Sequence, residues 1–394
     1  FIVFIFLIPY TASVYNGLSR LFNMAFGLDS DASYKIIIIA MAIITAIYVI
    51  LGGYAATAIN DFVQGIVMLL GIIAVVVCAV SSQGGFSHAL KQLGEIEYQG
   101  MTDQYNSILG PDPINLIGVI ILTSLGTWGL PQMVHKFYAV KDEAAIKKGT
   151  IISTLFAFIV AGGSYFLGGF DRLFCTVQGE SGKTFIRTLP NGSPEYDAMI
   201  PAVLKSALPE LLIGLVVVLV LSASMSTLSS LVLTSSSTLT IDFIKPKMKK
   251  QDERKEVIIM RALIAAFLII SVIIAFNKTA SISTLMSYSW GALAGAFLGP
   301  FLYGLYSKKI TKPAVWTSFI VGIGLTMAHM FLFGFGWFPE LRKAAASFPL
   351  NLASPINAGA IVMILSLILV PLVSLFTKPS NEKEVEEVFS CYQS

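Results

Sequence analysis

Charge is what this 394-residue chain lacks most. Only 12% of its residues are Asp, Glu, Lys or Arg, about half the share of an ordinary soluble domain. With 55% hydrophobic residues, that shortage excludes a normal water-facing surface and points to a polytopic membrane protein. Cysteine is nearly absent. Cys78, Cys175 and Cys391 are scattered, so neither a disulfide framework nor thiolate metal spacing follows. Histidine is as sparse: His88, His135 and His329 do not cluster, which argues against a metal site. A membrane-embedded enzyme would need a clustered His, Cys or acid pair, and none is seen, so the chain is not expected to be an enzyme. Alternating strands of about ten residues, which a barrel requires, are also missing. The first apolar window has no basic n-region and no A-x-A site, so it is not a signal peptide. It starts at Phe1, already mid-hydrophobic and without Met, and the expectation is an N-terminally truncated chain.

What is present is a series of apolar windows, each near the roughly 20 residues that a bilayer core demands. Ten are read: 1–27, 33–53, 58–82, 113–138, 146–170, 208–240, 256–276, 281–306, 313–336 and 355–377. If the first runs from inside to outside, fifteen of the 26 Lys and Arg fall in inner connections and nine in outer ones. The short basic connections "KPKMKKQDERK" and "SKKITK" weigh most under the positive-inside rule. The predicted location is the plasma (inner) membrane, with a cytoplasmic C-terminus. Between windows, 83–112 is polar, with "KQLGEIEYQ" a candidate surface helix, 171–207 is a polar excursion and 337–354 is interfacial. The tail from 378 is charged and solvated. "QGESGKT" (Gln178–Thr184) imitates a phosphate loop, but Val177 stands where the pattern needs Gly and no strand precedes it.

The stretch "LSASMSTLSSLVLTSSSTLTID" carries the sharpest signal. Twelve of the nineteen residues from Ser222 to Thr240 are Ser or Thr. Hydroxyls are tolerated in membrane helices because they bond back to the carbonyl one turn earlier and let helices approach closely. Here they are also arranged. At 100° per residue, Ala223, Ser226, Thr227 and Ser230 share one arc, Ser229 borders it, and Thr234, Ser237 and Thr238 continue the stripe. A long line of neutral oxygens suits a hard monovalent cation and water. Asp61, in the first turn of the third window, is a candidate countercharge; its other reading is an interfacial acid favoured by the helix macrodipole. In the fourth window, Gly126, Gly129 and Pro131 weaken the helix. Broken helices of this kind mark substrate and ion sites in transporters, or simply packing kinks.

These segments bring a resemblance. "SMSTLSSLVLTSSSTLTIDFIK", "GLPQMVHKFYAVKD" and "LMSYSWGALAGAFLGPFLYGLYSKKITK" resemble segments of the sodium–solute symporter family, most closely its sodium/proline symporter branch. The resemblance runs from residue 1 to about 375. It implies an all-α leucine-transporter-type inverted-repeat fold, incomplete, with about ten transmembrane helices. Residues 1–82 would be the last three helices of the first repeat and 113–306 the complete second repeat. Residues 313–377 would be two peripheral helices, and 378–394 a cytoplasmic tail. The missing part would include the broken first core helix, which in the family supplies backbone oxygens to sodium.

Carried over residue by residue, the family's common sodium site falls on the Ala223 carbonyl and the Ser226 and Thr227 hydroxyls. A second site, known in some relatives such as the sialic acid symporter, matches Asp61, Ser226, Ser229 and Ser230, and each position carries a suitable oxygen. Thr234, Ser237 and Thr238 would line the ion's exit. The proline branch presents a Trp and a Tyr to its solute where this chain has Thr123 and Thr127, which puts proline in doubt and favours a larger or more hydroxylated solute. Trp128, Gln132, Tyr288 and Trp290 are further candidate solute contacts, with core or interfacial packing as the other reading. The resemblance implies Na⁺-coupled symport of a small organic solute by alternating access, within a lipid bilayer. Na⁺ is the coupling ion, with no other cofactor, no nucleic acid and no obligate protein partner. A sensory membrane module and a proton-coupled symporter are the alternatives.

Overall fold

In a computed structural model the chain is almost wholly helical. The structure describes all residues except 29, 138–139, 177–182, 187–194, 249–251, 277–280, 380 and 393–394, and except the side chains of 52–57. Its helices are α1 (Ile2–Ala25), α2 (Asp31–Ser82), α3 (Phe86–Glu95), α4 (Pro113–Gly129), α5 (Pro131–Phe137), α6 (Glu143–Phe170) and α7 (Met199–Ala207). They continue with α8 (Glu210–Thr238), α9 (Glu253–Ala275), α10 (Ile282–Tyr306), α11 (Lys312–His329), α12 (Pro339–Ala346), α13 (Pro355–Phe376) and α14 (Glu382–Phe389). Two strands of two residues each, β1 (Cys175–Thr176) and β2 (Thr184–Phe185), pair in parallel. Most of the imitated phosphate loop lies outside the described residues.

Among the described residues, eight stretches are long and apolar enough to cross a membrane, or nine if the bent pair α4–α5 counts as one span. The expected window 281–306 forms α10 but falls outside that set. The reason is packing: Ser287 through Ala296 are buried without interruption, so this helix is ringed by protein and can carry serines and glycines in place of lipid-facing side chains. The windows 33–53 and 58–82 are the two apolar stretches of α2, Asp31–Leu51 and Ala58–Ser82, each long enough to be a span of its own. The expected surface helix starts earlier than "KQLGEIEYQ", at Phe86, and buries Ala89 and Leu93. The tail is exposed as expected, and within α14 Glu386 accepts from Lys308 Nζ through both carboxylate oxygens, at 2.7 and 2.8 Å.

The chain divides into two compact units. One comprises Phe1–Tyr10, Asp112–Ala139 and Ser283–Ser394. In it, α10, α11 and α13 approach backbone to backbone through Gly291, Gly295 and Gly299, spaced one turn apart. A Cβ on Gly291 would meet Gly359 Cα at 3.1 Å; on Gly295 it would strike Val362, and on Gly299 the Ser366 carbonyl. Glycine supplies the close approach that drives helix association in lipid. Two prolines inside these helices leave carbonyls without their i+4 donor. Pro300 cannot serve Ala296 O, and Ser318 Oγ donates to it instead at 3.0 Å. Pro371 cannot serve Leu367 O, and Tyr303 Oη donates there at 3.0 Å.

The other unit comprises Thr11–Pro111 and Val140–Ile282. Here α2 packs on α6, α8 and α9. Gly71 admits Leu219, Gly163 lies against Ile72, and Tyr34 Oη donates to Asn16 Oδ1 at 2.6 Å and Ala275 O at 3.3 Å. A second apolar cluster gathers α3, α7 and the end of α6 around Leu93, Phe170, Phe174, Val203 and Leu204. Arg20 pairs with Glu195, and Asp197 Oδ2 accepts from Ile282 N at 3.1 Å, which ties the excursion after α6 to α1 and to the start of α10.

The proline substitution logic is testable as a double-mutant cycle. Tyr303→Phe should lower stability by about 1 kcal/mol by leaving Leu367 O without a donor. In a Pro371→Ala background, where the substituted residue regains a backbone N–H and restores the helical bond, the same change should cost much less. Thermal unfolding of the four proteins in detergent measures the coupling.

Candidate functional site

The hydroxyl stripe forms as expected on one continuous helix, α8, which passes into a π-helical turn at Leu239–Ile244. Its hydroxyls direct their protons backwards. Thr227 Oγ1 donates to Ala223 O at 3.0 Å, Ser229 Oγ to Ser226 O at 2.9 Å, and Ser237 Oγ to Thr234 O at 3.3 Å. A hydroxyl whose proton is committed to its own backbone presents only lone pairs to its surroundings. Thr227, Ser229 and Ser237 are therefore acceptors toward their surroundings. Ser229 and Thr234 are buried, while Ala223, Ser226, Thr227, Ser230, Ser237 and Thr238 are half-buried. Thr238 Oγ1 and Ser236 Oγ are buried atoms with no hydrogen-bond partner among the described residues.

Asp61 is half-buried on α2 and lies thirty residues beyond the start of that helix at Asp31. It stands in the first turn of the second apolar stretch, Ala58–Ser82. The structure connects it to the stripe through a residue that the sequence reading missed. Tyr48, also on α2, donates its hydroxyl to Met225 O at 2.5 Å. Its phenol oxygen lies in hydrogen-bonding reach of Ser229 and in the electrostatic reach of Asp61. The signal available was a single polar aromatic in the aliphatic run "IIIIAMAIITAIYVIL", where Thr45 is the only other hydroxyl and returns its proton to Met41 O at 2.8 Å.

The candidate solute residues lie in the other unit. The fourth window breaks where expected: α4 ends at Gly129, Leu130 is extended, and α5 leaves at an angle of 47°. Pro131 has no N–H to give, so carbonyls of the last turn of α4 lack helical donors. The break is pressed against α10, since a Cβ on Gly129 would meet Ala294 Cα and Leu298 Cβ at 2.9 Å. One turn earlier, Gly126 faces Trp290. Trp290 is buried, stands edge-on to Tyr10 at 5.8 Å, and its Nε1 has no partner among the described residues. Tyr288 diverges from it. Two residues apart on a helix do not share a face, and Tyr288 instead packs beside His329, at 5.7 Å, and against Gly334.

Thr123 and Thr127 lie one turn apart, with their protons returned to Val119 O at 2.7 Å and Ser124 O at 2.9 Å. Trp128 is 56% exposed and does not cover the break. Gln132 is the most informative of the set. It is 2% exposed, and neither its amide oxygen nor its nitrogen has a partner among the described residues. Ser289 Oγ, which the sequence did not single out, is likewise buried without one.

A family model described as the sodium:solute symporter family matches residues 1–322. The osmoregulated proline transporter OpuE of Bacillus subtilis is 26% identical over 322 residues, covering 82% of this chain and 61% of the relative. A sodium/proline symporter of Staphylococcus aureus is 27% identical over 335 residues, with 82% and 60% covered. A sodium/pantothenate symporter of Haemophilus influenzae is 27% identical over 332 residues, with 81% and 63% covered. The chain thus spans about three fifths of the length of the curated relatives it matches. Its fold is that of a Na⁺-coupled sialic acid symporter solved in a substrate-bound outward-open state. The TM-score is 0.64 at 15% identity, over 96% of this chain and 74% of that one.

The orphaned amide of Gln132 makes a stability prediction. Gln132→Met keeps the volume and removes both unpaired polar atoms, so the variant should be as stable as the native chain or more stable by about 1 kcal/mol, read as the thermal unfolding midpoint in detergent.

Proposed function

The chain belongs to the sodium:solute symporter family, and from that premise we propose that the protein carrying it is a secondary active transporter. It couples the inward movement of Na⁺ to the uptake of a small organic solute by alternating access. The observation that carries this reading is the line of hydroxyls on α8, among which Thr227 and Ser229 turn their lone pairs outward, with Asp61 and Tyr48 brought near it by α2. Neutral hydroxyl and carbonyl oxygens with their lone pairs turned outward fit a hard monovalent cation, and a single carboxylate is enough to balance an added charge.

Two ions are proposed. One uses the Ala223 carbonyl with the Ser226 and Thr227 hydroxyls. The other uses Asp61 with Ser226, Ser229 and Ser230. At roughly 2.3 kcal/mol per charge per 100 mV, the second ion adds substantially to the gradient that the solute can climb. The inner part of the stripe, Thr234, Ser237 and Thr238, gives a released ion a polar way out, and the orphaned Thr238 Oγ1 suits a passing ion or its water.

The solute is assigned to the broken helix. Beside the α4–α5 break, Gln132, Trp290 and Ser289 bring buried polar atoms that await partners. Thr123 and Thr127 place small hydroxyls where an aromatic wall would narrow the space, which favours a solute with several hydrogen-bonding groups of its own. Trp128, which is largely exposed, and Tyr288, which packs beside His329, take a lesser part. Ion and solute binding favour the same state, so each raises the affinity of the other.

The test is uptake by the full-length protein in proteoliposomes. Initial rates should rise sigmoidally with Na⁺, with a Hill coefficient approaching two, and should fall to a coefficient near one in Asp61→Asn. Thr227→Ala should reduce the rate at fixed Na⁺ by at least about tenfold if it removes a charge-assisted contact of about 1.5–3 kcal/mol. A coefficient near one that Asp61→Asn leaves unchanged excludes the second ion. Uptake that persists without Na⁺ at low pH would replace the sodium reading with proton coupling.

A further inference from the structure

Tyr48 has a place that a simple interhelical contact does not explain. Met225 O, the acceptor of its hydroxyl, is also the acceptor that α-helical geometry assigns to the Ser229 N–H, four residues on. Ser229 lies beside the phenol oxygen. The tyrosine therefore sits on a single rung of the α8 hydrogen-bond ladder. Side chains inserted there locally loosen a helix and re-aim its carbonyls and side chains.

That rung is the middle of the hydroxyl stripe. Ser226 follows Met225 directly, and Ser230 follows Ser229. The Ser229 proton is committed to Ser226 O and the Tyr48 proton to Met225 O. Both oxygens thus keep lone pairs and no free proton in the space they share, and Asp61 supplies the nearby negative charge. An acceptor-only pair beside a carboxylate is unfavourable when empty and is relieved by a cation.

We infer that Tyr48 is a positioning residue for the second Na⁺: its hydroxyl fixes the Met225–Ser229 rung and holds the Ser229 oxygen available to an ion balanced by Asp61. The inference rests on the two-ion reading above. Its alternative is a tyrosine that merely pins α2 to α8, and the two differ in what they do to ion binding.

Thermal unfolding of the purified full-length protein, with NaCl exchanged for choline chloride at constant ionic strength, separates them. In the native protein Na⁺ raises the midpoint. In Tyr48→Phe the Na⁺ concentration giving half of that rise should increase about fivefold, the equivalent of one hydrogen bond. A pin would lower the midpoint equally in both salts and leave that concentration unmoved. A shift smaller than about twofold overturns the inference. Asp61→Asn is measured in parallel. If it does not change the Na⁺ response, the two-ion reading falls and Tyr48 with it; if it does and Tyr48→Phe does not, only the role of Tyr48 is lost. Should the phenylalanine variant not fold, 4-fluorophenylalanine at position 48 keeps the shape and fills the space while removing only the donated proton. The same displacement of the half-effect concentration is expected there, and its absence is equally decisive against the inference.

Discussion

A backbone carbonyl without a donor is the constraint on which this structure turns. In water such a group is solvated at no great cost. In a lipid-embedded bundle it costs several kcal/mol, and only the protein can supply the missing proton. The carbonyls freed by Pro300 and Pro371 are compensated in this way. Ser318 serves the first and Tyr303 the second. The same pressure explains why the hydroxyls of α8 turn back on their own helix. A serine in a membrane helix must place its proton somewhere, and the nearest acceptor is the carbonyl three or four residues earlier.

That local pairing has a consequence at a distance. Once Thr227, Ser229 and Ser237 have donated to their own backbone, these hydroxyls turn only lone pairs outward from α8. A rule that keeps the helix intact also makes its surface selective. Anions and carbonyls find no donor there, whereas a cation finds several acceptors without having to displace any proton. The glycine-lined contacts work from the opposite side of the same problem. Gly291, Gly295 and Gly299 bury α10 so closely among α11 and α13 that its polar residues face protein and not lipid.

Much of this was legible in the sequence because periodicity and composition act locally. Twelve hydroxyls at helical spacing announce a striped helix, and Gly126, Gly129 and Pro131 announce the break that appears at Leu130. The neighbours of α2 were not legible, since spacing within its two apolar stretches says nothing of which helices each packs on. Tyr48 was missed for a different reason. Its importance lies in a carbonyl 177 residues away, and spacing within one helix carries no information about such a partner. Tyr288 and Trp290 show the converse error. They are neighbours in sequence, but a helix turns by about 200° between them and sends them to different surroundings.

The chemistry of the donors also separates the two coupling ions. A proton needs a base that changes state, and a hydroxyl near its ordinary pKa cannot serve, so a proton-coupled stripe would have to rely on Asp61 alone. The remaining oxygens would then have no task that a plain alanine or leucine face could not perform. The proposed sodium sites give several of them a task. A sodium ion exchanges its water for about six oxygens of similar strength, and the penalty of burying so many acceptors is recovered when the ion arrives. A helix whose hydroxyls have given their protons to its own backbone is poorly suited to passing a proton along and well suited to passing a cation. The backward hydrogen bonds of α8 thus favour sodium on physical grounds that stand apart from any likeness to known symporters.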